Sequence, residues 1–236
     1  MNSVCIATYN GAKFIKEQLD SILVQLNDHD EVIISDDHST DETLAIVKSL
    51  NDKRIKIIHN TRERGYTNNF ENAIESAAGD FIYLSDQDDI WMPNKIDVFS
   101  REFEKRDFLV SNAKIVDQNL QSRNSQTYFD LRGMSTGFLS DLTKMKSLGC
   151  CMAFRKKVLA KMLPFPDNKK LCTHDFWILL VSEFYFKSKV IKDPLILYRR
   201  HESTASTGGE SMGSSLAFKV KFRVYCLYKV LGRFNK

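Results

Sequence analysis

Val4-Cys5-Ile6-Ala7-Thr8-Tyr9-Asn10-Gly11 is an apolar run closed by an Asn-Gly turn, and Phe14, Ile15, Leu19, Ile22, Leu23 and Leu26 follow it at helical spacing. The stretch reads as strand, turn, helix. Glu31–Ser35 repeats the strand, the polar corner Asp36-Asp37-His38-Ser39-Thr40-Asp41 leads into a helix bearing Leu44, Val47 and Leu50, and Arg54–His59 alternates like a third strand. A helix carrying Phe70, Ile74 and Ala77 stops at Gly79, and Phe81–Ser85 is a fourth strand. Strands separated by helices form βαβ units, so the fold class is α/β, a mostly parallel central sheet flanked by helices.

The second half is less regular. Strands are expected at Phe108–Ser111, Cys151–Phe154 and Val190–Ile191, and a helix from about Asp175 to Phe186. Segment 118–147 is poor in apolar residues apart from anchors such as Phe129 and Leu131, and long loops of this kind are often functional, so it is expected to face an acceptor. Residues 1–214 read as one domain, with 1–100 and 101–214 as its halves and 215–236 as a basic amphipathic helical tail.

Composition narrows the function classes. With 43% hydrophobic and 27% charged residues, ten glycines and four prolines, the chain is globular rather than fibrous or disordered. No apolar run approaches the ~18 residues that span a bilayer, and the first strand begins too early for a signal sequence. Five cysteines, an odd number with Cys150 and Cys151 adjacent and no C-x-x-C pair, read as reduced thiols in a cytoplasmic protein. The net charge of +4 is uneven: six basic residues follow Glu210, the last acid, leaving residues 1–210 at −2. A mildly acidic body argues against a nucleic-acid partner and points to a local surface contact by the tail.

In an open α/β sheet, ligands bind beyond the carboxyl ends of the strands. Those ends carry Thr8-Tyr9-Asn10-Gly11, Asp36-Asp37 and Asp86-Gln87-Asp88-Asp89, while no dinucleotide-binding or P-loop glycine signature follows any strand. Three carboxylates in four residues repel one another unless a cation joins them. In an extended stretch Asp86 and Asp88 project to the same side. Oxygen ligands of this kind suit Mg²⁺ or Mn²⁺ completed by phosphate oxygens. The plainer reading makes them turn and N-cap residues for a helix beginning near Pro93.

These three motifs, with Ala78-Gly79-Asp80-Phe81-Ile82-Tyr83-Leu84 before the last and Ile90-Trp91 after it, resemble the family 2 glycosyltransferases of the GT-A fold over roughly the first 100 residues, with weaker similarity to about residue 205. The resemblance implies inverting transfer of a sugar from a nucleotide-diphosphate sugar to an acceptor hydroxyl, assisted by Mn²⁺ or Mg²⁺. It places Ala7, Thr8 and Tyr9 against the base, Asp37 on base or ribose, Asn69 and Gln87 beside the nucleotide, Asp86 near ribose and metal, and Asp88 as the principal metal ligand. His38 stands where the family has Gly or Asn. Arg64 is a candidate for a phosphate or a solvated loop charge. Asp175, in Thr173-His174-Asp175-Phe176-Trp177, resembles the family's general base, with His174 in place of Glu; an N-terminal helix aspartate is the plainer alternative. In Tyr198-Arg199-Arg200-His201 the resemblance sends His201 to the metal or diphosphate, with only one of Arg199 and Arg200 aimed inward, and 202–214 as a lid. The cysteines of Gly149-Cys150-Cys151 read as small residues lining the sugar pocket.

Ser85-Asp86-Gln87-Asp88-Asp89-Ile90-Trp91 resembles the subgroup labelled rhamnosyltransferases, which implies a dTDP-sugar donor, with UDP-sugars also open and a surface glycan or lipid-linked glycan as acceptor. Two rivals remain. A sugar nucleotidyltransferase would need a glycine-rich basic loop after the first strand, and none is there. A degenerate scaffold subunit of a polysaccharide assembly complex would be expected to lack Asp37, Asp88 or Asp175. The tail interleaves apolar residues from Leu216 to Phe234 with Lys219, Lys221, Arg223, Lys229 and Arg233. It fits a helix on an anionic membrane surface at the inner face of the cell membrane, or one packed on the body.

Overall fold

The computed structural model describes residues 1–122, 126–135, 137–202 and 215–234. Its first half is β1 (Asn2–Thr8), α1 (Ile15–Leu23), β2 (Glu31–Asp36), α2 (Thr43–Ser49), β3 (Ile55–His59), α3 (Tyr66–Glu75) and β4 (Phe81–Ser85). β3, β2, β1 and β4 lie side by side, all parallel, as the βαβ pattern requires. β1 and β2 are buried on both faces because helices cover them, which explains continuous apolar runs instead of alternation.

The second half adds β5 (Ile90–Trp91), α4 (Lys95–Phe103), β6 (Phe108–Asp117), α5 (Tyr128–Arg132), α6 (Phe138–Thr143), β7 (Met152–Arg155), α7 (Leu159–Met162), α8 (His174–Tyr185), β8 (Ser188–Arg200) and α9 (Leu216–Leu231). The sheet order is β3-β2-β1-β4-β7-β6-β8-β5, and β7 runs antiparallel to both β4 and β6. β6 and β8 are much longer than the expected Phe108–Ser111 and Val190–Ile191. Asn112 and Pro194 broke the apolar pattern in the sequence; in the fold they sit opposite each other at a register shift, where the Asn112 side chain donates to the Lys192 carbonyl at 3.1 Å. A bulge thus absorbs the proline that ends most central strands.

Segment 118–147 is not a bare loop. Thr127 and Asp130 form a reciprocal cap on α5, and Tyr128 is its buried anchor, whereas Leu131, expected to anchor it, is 54% exposed. α6 packs on α8 with Phe138 against Phe184 at 4.9 Å between ring centroids. From Ser203 to Gly213, and at Ser214, the expected lid lies outside the described residues.

α9 has two unlike faces. Cys226 and Val230 are fully buried, Phe222 packs on Phe176 at 4.8 Å, and the Tyr185 hydroxyl donates to the Val230 carbonyl at 2.7 Å. The tail is therefore docked on the body along one side. Leu216, Val220, Val224, Tyr228 and Leu231 form the other side, and each is more than two-fifths exposed. All five cysteines are buried and unbridged, and among the described residues no helix is long and apolar enough to cross a membrane.

Between α6 and α8 the carboxyl groups of Asp141 and Glu183 share Ser135, whose hydroxyl donates to Asp141 and lies 3.1 Å from Glu183 Oε1. Burial, then the Asp141 charge, pushes Glu183 up from 4.5 to about 8. The folded state therefore keeps a proton that the unfolded chain has lost between those values, and this group's contribution to stability falls as pH rises from about 4.5 to about 8. Glu183→Gln removes the dependence. The difference in melting temperature between variant and wild type should grow in the variant's favour from pH 5 to pH 9; a difference independent of pH would contradict the shared-proton arrangement.

Candidate functional site

Because β2, β1 and β4 are parallel neighbours, their carboxyl ends bring Asp36-Asp37, Thr8-Tyr9 and Asp86-Gln87-Asp88-Asp89 to one edge. The corner after β2 ties down the turn after β1. Asn10 N–H donates to Ser39 Oγ at 3.0 Å, Gly11 N–H to Thr43 Oγ1 at 2.8 Å and Ala12 N–H to Asp41 at 3.1 Å. Within this corner His38 adopts φ +63°, the left-handed region that Gly and Asn occupy most readily, so the departure at this position is accommodated rather than avoided.

Asp37 is buried and held on both oxygens, by the Asn60 side-chain amide at 2.7 Å and the Gly65 N–H at 2.8 Å. Its carboxylate is fixed in direction before any ligand arrives. Arg64 folds back on the corner after β2. Its guanidinium donates to the carbonyls of Asp37 and His38 at 3.0 and 3.2 Å and lies 4.9 Å from the centroid of the exposed Tyr9 ring. Tyr9 and Arg64 thus form a stacked pair at the corner expected to meet the base. Asn69 donates to the Thr8 carbonyl at 3.2 Å, and its own buried Oδ1, like Thr8 Oγ1, has no partner among the described residues; Ala7 is partly exposed beside them.

Gln87 is committed to the backbone. Its Oε1 accepts from Tyr9 N–H at 3.0 Å and its Nε2 donates to the Tyr9 carbonyl at 3.1 Å, pinning the loop after β1 to the loop after β4. Gly11 makes room for this clamp, since a Cβ there would come within 2.3 Å of Gln87 Oε1.

The acids divide into two groups. The chain bends at 86–89, so strand alternation does not align Asp86 with Asp88. Asp88 meets His201, with Oδ2 2.8 Å from Nε2, across 113 residues of sequence. Asp86, Asp89 and Cys150 place ligand atoms within 4.8 Å of one another. Asp89 is fully buried, with Oδ1 accepting from Arg199 N–H at 2.9 Å and Oδ2 without a partner among the described residues. Burial, then the charges of Asp88 and Asp175, pushes Asp86 up to about 7. An orphaned buried carboxylate oxygen, a carboxylate with raised proton affinity, and an imidazole beside Asp88 together make a donor set that fits a hard divalent ion such as Mn²⁺ or Mg²⁺. Asp89 is the member that sequence reasoning left without a role; its place in the acidic run was the signal.

Arg199 is the inward arginine of its pair, 2% exposed in its side chain. It pairs with Glu17 at 2.6 Å, donates to the Gln118 carbonyl at 3.2 Å and lies 4.5 Å from the centroid of Phe14, whose ring stands 4.6 Å from His201. It braces the strand end that presents His201.

Asp175 opens α8, its Oδ1 accepting from Thr173 Oγ1 at 2.6 Å and Phe176 N–H at 2.8 Å. Its charge reaches Asp86 and Tyr66 and helps raise the proton affinity of both. His174 stacks on Phe70 at 4.2 Å with both ring nitrogens unpartnered, and burial lowers its pKa, so it is neutral. Gly149 permits this approach, since a Cβ there would lie 3.0 Å from His174 Nε2 and 3.2 Å from Asp175 Cβ.

With this geometry in hand, the comparisons with known proteins settle the class. The family model described as glycosyl transferase family 2 matches residues 3–163, and the chain belongs to that family. It is a glycosyltransferase with the GT-A architecture. The dTDP-rhamnosyl transferase RfbG of Shigella flexneri is 30% identical over 238 residues, covering 92% of this chain and 77% of that protein. S. aureus TarS in complex with UDP-GlcNAc superposes with a TM-score of 0.75 at 21% identity, covering 98% of this chain and 66% of that chain. The TarS complex with UDP covers 84% of this chain and 60% of that one, so the chain spans about three-fifths of the solved TarS chain. The mannosyltransferase PcManGT of Pyrobaculum calidifontis, in complex with GDP-Man and Mn²⁺, superposes with a TM-score of 0.58 at 17% identity over 98% of this chain and 73% of that one.

The Gln87 clamp carries a prediction. Gln87→Ala removes it, and Gly11→Ala displaces the same amide. Each should weaken UDP or dTDP binding by about three- to tenfold, the worth of roughly one net hydrogen bond. Because both act on one contact, the double variant should bind about as weakly as either single one, measured by calorimetry; additive losses would contradict a shared clamp.

Proposed function

We propose that the chain is an inverting, metal-dependent transferase that moves a sugar from a dTDP- or UDP-sugar to a hydroxyl of a glycan or lipid-linked glycan in bacterial surface polysaccharide synthesis. The observation that carries this reading is the 2.8 Å meeting of Asp88, just after β4, with His201, just beyond β8. The likeness to RfbG, with the Asp86–Trp91 string, favours a dTDP-sugar over a UDP-sugar.

In this reading Tyr9 and Asp37 receive the nucleoside, Asn69 and the Gln87 clamp hold the loop beneath it, and Asp86, Asp88 and His201 hold the metal. When bound, the ion supplies positive charge against the departing diphosphate. Asp175 accepts the proton of the acceptor hydroxyl as that oxygen bonds to the anomeric carbon. The bond from that carbon to the diphosphate breaks on the opposite face, its electron pair leaves with the diphosphate, and configuration inverts. The scaffold alternative is disfavoured, because Asp37, Asp88 and Asp175 are all held in place by specific partners.

The test is a pair of isosteric variants assayed against UDP-, dTDP- and GDP-sugars with Mn²⁺ or Mg²⁺. Asp88→Asn should weaken metal-dependent nucleotide binding by at least tenfold. Asp175→Asn should leave that binding intact and lower turnover about 10²–10⁴-fold, the usual worth of a general base. Wild-type turnover in Asp175→Asn, or unchanged nucleotide affinity in Asp88→Asn, would contradict the respective role.

The outward side of α9 supports the membrane part of the reading. Its exposed apolar stripe is bordered by the exposed Lys221 and contains no acid, the pattern of an interfacial helix on anionic lipid, while Arg223 is engaged with the Thr143 carbonyl. Removing the helix would also strip Cys226 and Val230 from the core, so the test changes only the exposed side. Val220→Ser, Val224→Ser and Tyr228→Ser together should abolish salt-sensitive binding to phosphatidylglycerol-containing vesicles with little change in melting temperature; undiminished vesicle binding would remove the membrane role.

A further inference from the structure

Lys95 is the first residue of α4 and is fully buried, an uncommon place for an ammonium group. Its Nζ lies 4.1 Å from the centroid of the Trp91 ring and 5.6 Å from that of Phe99, and it donates to the Cys150 carbonyl at 3.1 Å. Tyr83 closes the surroundings, with its ring 5.8 Å from Trp91 and 5.7 Å from Phe99. The cage is itself tied down, because the Trp91 indole N–H donates to Ser85 Oγ at 3.1 Å. Cys150 ties the cage to the acidic cluster: its carbonyl holds the ammonium, and its Sγ lies within 4.8 Å of ligand oxygens of Asp86 and Asp89.

A methionine or leucine would fill this space without the several kcal/mol that desolvating a charge costs. The charge therefore calls for an electrostatic reason. The charges of Asp86 and Asp89 reach it, Asp89 is fully buried, and its Oδ2 has no hydrogen-bond partner among the described residues. A divalent ion in front and the ammonium behind bring Asp86, Asp88 and Asp89 to formal neutrality.

We infer that Lys95 is a built-in counter-cation of the metal site, which weakens binding of the divalent ion alone and makes tight binding conditional on the nucleotide diphosphate. The ammonium repels an incoming dication and attracts the diphosphate that accompanies it, so ion and nucleotide reinforce each other in binding, and the effect is reciprocal. After transfer, loss of the nucleoside diphosphate loosens the ion too, and the site is cleared for the next donor. Lys95 touches neither substrate nor ion; it is a positioning charge acting through the Asp86–Asp89 cluster. This inference rests on the reading that the ion binds at Asp88 and His201.

The experiment uses the full chain and titrates Mn²⁺ by electron paramagnetic resonance, alone and with a saturating amount of UDP or dTDP. In Lys95→Met, which keeps length and removes charge, Mn²⁺ alone should bind at least about tenfold more tightly, because a unit positive charge that repels the dication is gone. The enhancement produced by nucleotide should shrink by a similar factor. A purely structural role predicts the opposite sign, weaker binding of every ligand. Asp89→Asn/Lys95→Met, which removes one buried charge of each sign, guards against a folding failure of the single variant, and its affinity for Mn²⁺ alone should return toward the wild-type value. Mn²⁺ affinity that is unchanged or weaker in folded Lys95→Met, or a double variant that binds Mn²⁺ far more weakly than wild type, overturns the inference. If wild-type protein binds no Mn²⁺ with or without nucleotide, the metal reading fails first and the inference falls with it.

Discussion

Negative charge gathered at one edge of a parallel sheet is the constraint around which this molecule is arranged. Parallel pairing of β2, β1 and β4 forces their carboxyl ends together, and those ends carry Asp36, Asp37, Asp86, Asp88 and Asp89. Each acid is answered separately: Asp36 by Ser39, Asp37 by the Asn60 amide and Gly65 N–H, Asp88 by His201, Asp89 by the Arg199 N–H, and Asp86 by the charge of the caged Lys95. Burial and the neighbouring acids nonetheless raise the proton affinity of both Asp86 and Asp89.

Those answers come from distant parts of the chain, and this couples the second half of the fold to the first. Arg199 and His201 lie at the end of β8, whose long parallel pairing with β6 depends on the bulge at Asn112 and Pro194. Glu17 and Phe14, within and beside α1, clasp Arg199, so the helix that follows the first turn also supports the last strand. His174 and Asp175, at the start of α8, approach the chain beside Cys150 because Gly149 leaves them room.

The first half of the fold was legible in the sequence because each βαβ unit there is local, and its apolar runs and polar corners repeat in order. The same locality exposed Thr8, Tyr9, Asp37, Asp86 and Asp88, which stand directly after strands. His201 and Asp175 needed the family resemblance, since nothing in their own neighbourhoods marks them as facing β4. The strand lengths of β6 and β8 were hidden by Asn112 and Pro194, residues that ordinarily end a strand and here occupy a bulge. Gln87, expected beside the nucleotide, also holds Tyr9, a contact without a signature in the sequence because a side-chain amide can imitate a strand partner without any periodicity. Lys95 was invisible for a related reason: at the start of an amphipathic helix a lysine ordinarily faces water, and only the folded position of Trp91, Phe99 and Cys150 turns it inward.

The central claim is that the acids at this edge are assembled to hold a divalent ion against a nucleotide diphosphate. Crystals grown with Mn²⁺ and UDP or dTDP, measured at the manganese absorption edge, test it most directly. The account predicts one anomalous peak in contact with Asp88 and bounded by His201 and Asp86, with diphosphate oxygens completing its shell. A nucleotide seated over Tyr9 and Asp37 with no anomalous peak at Asp88, or manganese bound only at another acidic surface, would contradict it.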